Sequence, residues 1–276
     1  MSDDARTERS AEGFKARLRA GQVMFGPLLF ELATPGLAVT LADAGFDFLL
    51  FDLEHAPFAA PTVARTVLAA RQAGLASIVK LADLERSAVQ RYLDYGAIGI
   101  QVPHVESAEE LARLVRWSRY PPLGERGQVF GLGNTGFRTV DPSTYVAEAN
   151  EQVLVMPMIE TRRGVEQIET ILDAGGADAV FIGTGDLSSS YGVPGQMTHP
   201  IIVDAAERVL AACRARGIFV AINAEEPEVA AHWAERGVQI IAYSSELLMI
   251  RRQAKALFDF LAARGSIDPA RRSGSA

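Results

Sequence analysis

One cadence recurs along this chain: an amphipathic stretch ends in a small residue and Gly, and a short apolar run follows at once. The junctions read DAG–FDFLLF, QAG–LASIVKL, DYG–AIGIQV, AGG–ADAVFIG, ARG–IFVAIN and ERG–VQIIAY. Glycine just past a helix takes the left-handed conformation that closes the last turn, so each junction marks a helix end. The apolar runs are too short for helices and rich in Val, Ile and Phe, so they read as strands buried on both faces. Such strands are parallel and need crossovers, which the intervening helical stretches supply.

Strands are expected near 23–30, 47–53, 76–81, 98–103, 153–159, 179–183, 218–222 and 238–243. Helices are expected near 34–44, 61–73, 85–95, 107–118, 161–174, 201–216, 227–236 and 246–263. Eight alternating units in 276 residues fit a single-domain α/β fold, the (β/α)8 TIM-type barrel, which takes about 250 residues. An open doubly wound sheet fits less well, because no Gly-rich dinucleotide loop follows the first strand. The barrel is expected over 14–264, with flexible ends at 1–13 and 265–276. Residues 120–152 are far longer than an ordinary connection and are either functional or an assembly element.

Composition narrows the function classes. With 49% hydrophobic residues the chain can bury a large core. Its net charge of −7 argues against nucleic acid, which needs a basic footprint. No apolar run approaches the roughly 20 residues of a bilayer span, so no membrane partner is expected. The polar start, MSDDARTERSAEG, lacks the apolar centre of a secretory signal. A single cysteine, Cys213, excludes an intrachain disulfide and fits a reducing cytoplasm. It lies in VLAACRARG and reads as core packing.

In barrels of this kind chemistry sits where strands end. Strand two ends in Asp52-Leu53-Glu54-His55, strand three carries Lys80, strand five ends at Glu160, and strand six runs into Gly183-Thr184-Gly185-Asp186. Strand eight offers Tyr243, Ser244, Ser245 and Glu246. Glu160 and Asp186 end neighbouring strands, and two converging carboxylates need a cation or proton between them. Two oxygen ligands with room for water suit Mg²⁺ or Mn²⁺. The alternative is that each carboxylate only caps a helix. His55 is the best general base, with Asp52 and Glu54 near in sequence to fix its tautomer, although a loop histidine can also be merely structural. His104 is a second candidate; His199 reads as a helix cap and His232 as packing. The small-residue turn at Gly185 lets backbone N–H groups approach an anion.

Taken together, FDFLLFDLEHAPF, YLDYGAIGIQVPHVESAEE, RYPPLGERG, MIET and ADAVFIGTGDLSSSYGVPG followed by HP resemble the HpcH/HpaI aldolase family of the phosphoenolpyruvate/pyruvate barrel group. The resemblance runs from about residue 20 to 250. It implies a metal-dependent (class II) aldolase that joins or cleaves pyruvate, or a related 2-oxo acid, and an aldehyde through a metal-stabilised enolate. By family pattern Glu160 and Asp186 hold the metal (Mg²⁺, Mn²⁺ or Co²⁺). Gly185 and Asp186 bind the substrate carboxylate through their backbone, and His55, helped by Asp52, moves the proton.

Two positions depart from the better-studied members. Lys80 stands where those have Arg, keeping charge but losing the two-pronged donor, and Met158 stands where those have Gln. Both touch the expected substrate position, so a different lyase step on the same enolate is the alternative: decarboxylation, malyl-type cleavage or biosynthetic bond formation. Schiff-base chemistry at Lys80 is a further rival. Asp94 matches a family position that tunes the histidine. By count it ends a helix at the barrel's far end, so it either serves a neighbouring subunit's site or is an interface residue. The resemblance implies a homo-hexamer whose last helix exchanges between subunits; ELLMIRRQAKALFDFLAARG carries an apolar stripe fit for this or for closing its own barrel. Arg126, Phe137 and Arg138 lie in the long loop that could reach a shared site.

Overall fold

The computed structural model describes residues 13–267, and its eight strands follow one another round a closed parallel barrel in which the last pairs with the first. The strands are β1 (Met24–Leu29), β2 (Phe48–Asp52), β3 (Ala76–Lys80), β4 (Gly99–Val102), β5 (Leu154–Ile159), β6 (Ala179–Ile182), β7 (Phe219–Ala224) and β8 (Ile240–Ser245). A short helix α1 (Phe14–Arg19) precedes them. The outer layer contains α2 (Pro35–Asp43), α3 (Ala60–Gln72), α4 (Arg86–Asp94), α5 (Ala108–Ser118), α6 (Pro142–Gln152), α7 (Arg162–Glu166) and α8 (Ile168–Asp173). It continues with α9 (Thr184–Ser190), α10 (Pro200–Arg214), α11 (Pro227–Glu235) and α12 (Glu246–Ala263). Of the ends expected to be flexible, 1–12 and 268–276 lie outside the described residues.

Strand alternation divides the core in two. One set of side chains packs outward against the helices; the other fills the barrel in layers, with Phe48 and Leu50 on β2, Ala76 and Ile78 on β3, and Leu154 and Met156 on β5. Gly26 on β1 faces Phe48 so closely that a Cβ would run into the Phe48 carbonyl and ring, so only glycine fits there.

Helix α1 has no counterpart in the sequence reading, which counts only stretches that follow strands. Phe14 and Leu18, one turn apart, are buried in the interior cluster, and the Phe14 ring meets Phe48 edge-on at 5.9 Å. Around this plug the polar groups are paired. Lys15 Nζ donates to Asp178 Oδ1 at 2.6 Å, and Asp178 Oδ2 accepts from Arg119 at 2.8 Å and from the Val155 N–H at 2.9 Å. Arg17 pairs with Asp47, which also accepts from the Phe25 N–H.

Other differences have local causes. The helix expected over 161–174 breaks at Gln167 into α7 and α8, and the turn after β6 continues as the short helix α9. Strand β8 runs to Ser245, past its expected end, with an irregular register against β1: Gly26 faces Ala242 but Leu28 faces Ser245. The 120–152 segment contains a 3₁₀ turn (Gly133–Thr135) and α6, and packs beside the starts of β4 and β5. Cys213 is fully buried, and burial pushes its thiol up to about 12, so it packs as an inert core residue.

Since Phe14 closes the lower end of the barrel, Phe14→Ala is expected to cost about 3–5 kcal/mol. That lowers the melting temperature by something on the order of 10 °C, read by calorimetry on the otherwise intact chain.

Candidate active site

The inward-facing residues at the strand ends enclose a cavity of about 210 Å³ at the upper mouth of the barrel. Asp52, Lys80, Gln101, Met158, Asn223 and Ser244 line it, each one strand or more from the next. Alternation explains most of the set: Asp52, Lys80, Met158 and Asn223 each follow, two residues on, an interior core position of their own strand (Leu50, Ile78, Met156 and Ala221). His55, Gly185 and Asp186 from the following loops complete the rim.

Lys80 is the electrostatic centre. Its Nζ lies 2.7 Å from Glu54 Oε2 and 3.2 Å from Asp52 Oδ2, and the side chain is almost wholly buried. Burial alone would pull the ammonium down, but Asp52 and Glu54 together outweigh it and hold Lys80 above the ordinary lysine value. The amine therefore stays protonated and acts as a fixed positive charge.

Asp52 and Glu54, both offered by the sequence as partners of His55, take different positions around it. Asp52 Oδ1 accepts the backbone N–H of Glu54 (2.9 Å) and His55 (2.7 Å), so it shapes the loop that carries the histidine. The carboxylate beside the imidazole is that of Glu54, 3.4 Å from His55 Nε2 and 3.6 Å from His104 Nε2. The sequence offers both carboxylates for this part, and alternation cannot choose between them, because the chain leaves the extended conformation after Asp52.

Glu160 is buried at 1% exposure. Its Oε1 accepts the His104 backbone N–H at 2.8 Å, with His104 Nδ1 at 3.3 Å. His104 reaches this position in a left-handed conformation (φ 52°). The other oxygen, Oε2, is buried with no hydrogen-bond partner. Burial raises the Glu160 carboxyl above its ordinary value; the His104 N–H, the His104 ring and Lys80 pull it back, and the charge of Asp186 adds to the rise. Gly183 makes room: a Cβ there would strike both the Glu160 carboxylate and Met158. An orphaned buried carboxylate oxygen in the field of a second carboxylate is an arrangement a divalent cation relieves, so the donors present fit a hard metal ion. Among the described residues no group of three or more His, Cys, Asp or Glu is placed to hold a metal, so a cation here would take two carboxylates and keep positions for water and substrate.

Asp94 is not in this cavity. It ends α4 at the opposite end of the barrel, where Arg126 donates to its Oδ1 at 2.7 Å and lies 4.5 Å over the Tyr120 ring. Burial raises its carboxyl, with Arg126 opposing. Arg138 lines the hollow beside that pair, and Phe137 is exposed. Of the other histidines, His199 caps α10 through Nδ1 and His232 packs edge-on against Trp233. Gln101 and Asn223 receive no role in the sequence reading, although carrying strand alternation one step further along β4 and β7 finds them; Ser244 is named there only among the residues strand eight offers.

The model of the HpcH/HpaI aldolase/citrate lyase family matches residues 27–249. The chain belongs to this family. It is 34% identical over 246 residues to a 5-keto-4-deoxy-D-glucarate aldolase of Klebsiella pneumoniae, covering 89% of this chain and 95% of that one. Among solved structures it resembles an HpcH/HpaI aldolase from Desulfitobacterium hafniense (TM-score 0.85, 33% identity, 90% of this chain and 96% of that one). It also resembles the citrate synthase SbnG (TM-score 0.82, 29% identity, 92% and 98%). The protein is thus a carbon–carbon lyase of a metal-dependent aldolase family.

Glu160→Gln removes the buried charge and keeps the shape. Mn²⁺ is expected to raise the melting temperature of the wild type and to leave that of the mutant unchanged. Because folding raises the Glu160 carboxyl, its ionisation costs stability in the metal-free wild type; that cost is absent at low pH and grows as pH rises through the folded value. Metal-free Glu160→Gln should therefore gain on wild type as pH rises, measured by denaturant titration in chelator.

Proposed function

We propose that this enzyme is a class II aldolase that cleaves or forms the bond between pyruvate, or a related 2-oxo acid, and an aldehyde. The observation that carries the reading is the buried, half-partnered Glu160 carboxylate, which feels the charge of Asp186 on the rim of a cavity whose fixed positive charge is Lys80. Glu160 and Asp186 would hold the cation (Mg²⁺, Mn²⁺ or Co²⁺). When bound, it supplies Lewis-acid stabilisation to the 2-oxo oxygen, worth several kcal/mol.

The chain's own groups do the rest. The Gly185 backbone is open, since a Cβ added to it would meet nothing within 4 Å, so the N–H groups of Gly185 and Asp186 can meet the substrate carboxylate. His55 stands exposed at the rim, oriented by Glu54 and carried on the loop that Asp52 fixes. In cleavage it takes the 4-hydroxyl proton, the C3–C4 bond breaks, the aldehyde leaves, and the electron pair stays on the 2-oxo acid as an enolate. Lys80, charged and pre-oriented, stabilises that negative charge without reorganisation. Its protonated state argues against the Schiff-base route, which needs a free amine. Met158 supplies an apolar wall under the substrate. A second reading, carbon–carbon bond formation in a biosynthetic direction, is favoured by the similarity to a protein named a citrate synthase.

The substrates are small molecules; we infer a cytoplasmic enzyme, and no helix among the described residues is long and apolar enough to cross a membrane. A homo-oligomer, by family a hexamer, is supported by α12. Of its 18 residues only Glu246 is buried, while Leu247, Ile250, Leu257, Phe258 and Phe260 are exposed. An apolar face of that size calls for a cover, and exchange of α12 between subunits supplies one. In that assembly Asp94 and the loop bearing Arg126, Phe137 and Arg138 would face a neighbouring copy. Leu257→Asp together with Phe258→Asp is expected to yield smaller species in analytical ultracentrifugation.

Activity is tested by coupled pyruvate release from 4-hydroxy-2-oxo acids with Mg²⁺, Mn²⁺ or Co²⁺. Chelator should abolish it, and Lys80→Met should lower kcat by roughly 10²-fold. Full activity in Glu160→Ala would sink the metal-centred reading.

A further inference from the structure

Ser244 occupies a costly position. Between Gly26 and Leu28, β1 advances two residues, while β8 advances three, from Ala242 to Ser245, so β8 bulges there. Ser244 has φ 60°, in the left-handed region where glycine is the unstrained choice. It is 4% exposed, lines the cavity, and its hydroxyl has no hydrogen-bond partner. Its neighbour Ser245 is accounted for, since its Oγ caps α12 by accepting the Leu248 N–H at 3.2 Å. A bulge beside a site re-aims a side chain, and strain held there is kept where something is gained from it.

Across the barrel, Gln101 on β4 is fully buried. Its Nε2 donates to Met158 Sδ at 3.0 Å. A thioether only accepts, so the amide orientation is fixed and Oε1 faces elsewhere; that oxygen is buried without a partner. Near Ser244, Thr184 Oγ1 donates to Asn223 Oδ1 at 2.9 Å, which commits the Asn223 oxygen and leaves its N–H donors for another group.

We propose that Gln101 and Ser244, with Asn223, form a hydroxyl-recognising subsite that selects aldehydes carrying a hydroxyl group over their deoxy counterparts. The proposal rests on the aldolase reading of the cavity. Gln101 Oε1 can only accept, so a carboxylate or bare carbonyl leaves it unsatisfied, whereas a hydroxyl donates to it. The same class of ligand can accept from Ser244 or from the Asn223 amide. A site with buried polar groups built for a hydroxyl rejects the analogue that lacks it, because those groups are then left unpaired.

The test compares glycolaldehyde with acetaldehyde as acceptors for pyruvate in the presence of Mn²⁺, using wild type, Ser244→Ala, Ser244→Gly and Gln101→Leu. The reading is the ratio of kcat/KM for the two aldehydes. Each substitution should lower that ratio by roughly tenfold relative to wild type, mainly through KM for glycolaldehyde. Ser244→Gly should also raise the melting temperature above that of Ser244→Ala, because glycine relieves the left-handed strain. Equal ratios in wild type and both Ser244 variants would overturn the subsite. Deuterium exchange at the pyruvate methyl group separates the two levels. Its absence in wild type overturns the aldolase reading and the subsite with it, while exchange with an unmoved ratio overturns the subsite alone.

Discussion

Closure of β8 on β1 is the constraint on which the rest depends. Once eight parallel strands form a ring, every second side chain has only the interior to occupy, and at the upper ends those side chains share one small cavity. Residues from Asp52 to Ser244, far apart in the chain, thereby become neighbours. The ring also has a lower end, and α1 fills it with Phe14 and Leu18 while Lys15 and Arg17 tie the plug to Asp178 and Asp47. Closure is imperfect at one point, the β8 bulge. Just beyond it Glu246 reaches back, its Oε1 accepting from the backbone N–H groups of Phe30, Glu31 and Leu32. The seam is stitched by a carboxylate at the place where the ladder slips.

Inside the cavity the chemistry follows from how charge is balanced. Lys80 is buried, yet two acidic groups keep it protonated, so a fixed positive charge stands in the cavity, where the proposed enolate would need it. Glu160 is buried with only one of its oxygens engaged and feels the charge of Asp186, a state that the proposed cation would relieve. His104 links the two halves, donating its backbone N–H to Glu160 and lying near Glu54. These groups act as one electrostatic unit, and a change at one is felt by the others.

Much of this is legible beforehand because its causes are local. Gly45, Gly74, Gly96, Gly217 and Gly237 each follow a helix in a positive-φ conformation, as the cadence implies. Strand ends then place Asp52, Lys80, Glu160 and Asp186 at the mouth. Helix α1 is invisible at that level because a helix whose role is to plug a barrel shows its apolar residues only against the interior it closes. Which of Asp52 and Glu54 stands beside the His55 ring is not legible, because the choice is made in a loop that follows no period.

The sequence by itself determined the eight-unit alternation, the position of the site at the strand ends and the kind of chemistry its carboxylates, histidine and lysine can do. The alternation and the strand ends follow from helix-closing glycines and side-chain periodicity, which are properties of short stretches, whereas the chemistry is what the motifs' resemblance to a family implies. Only the tertiary structure decided which groups touch. It set Glu54 beside His55, left Glu160 Oε2, Gln101 Oε1 and Ser244 Oγ without partners, sent Asp94 to the far end with Arg126, and left the apolar face of α12 uncovered. Contacts of that kind depend on how a closed ring brings distant strands together, and no local pattern encodes that distance.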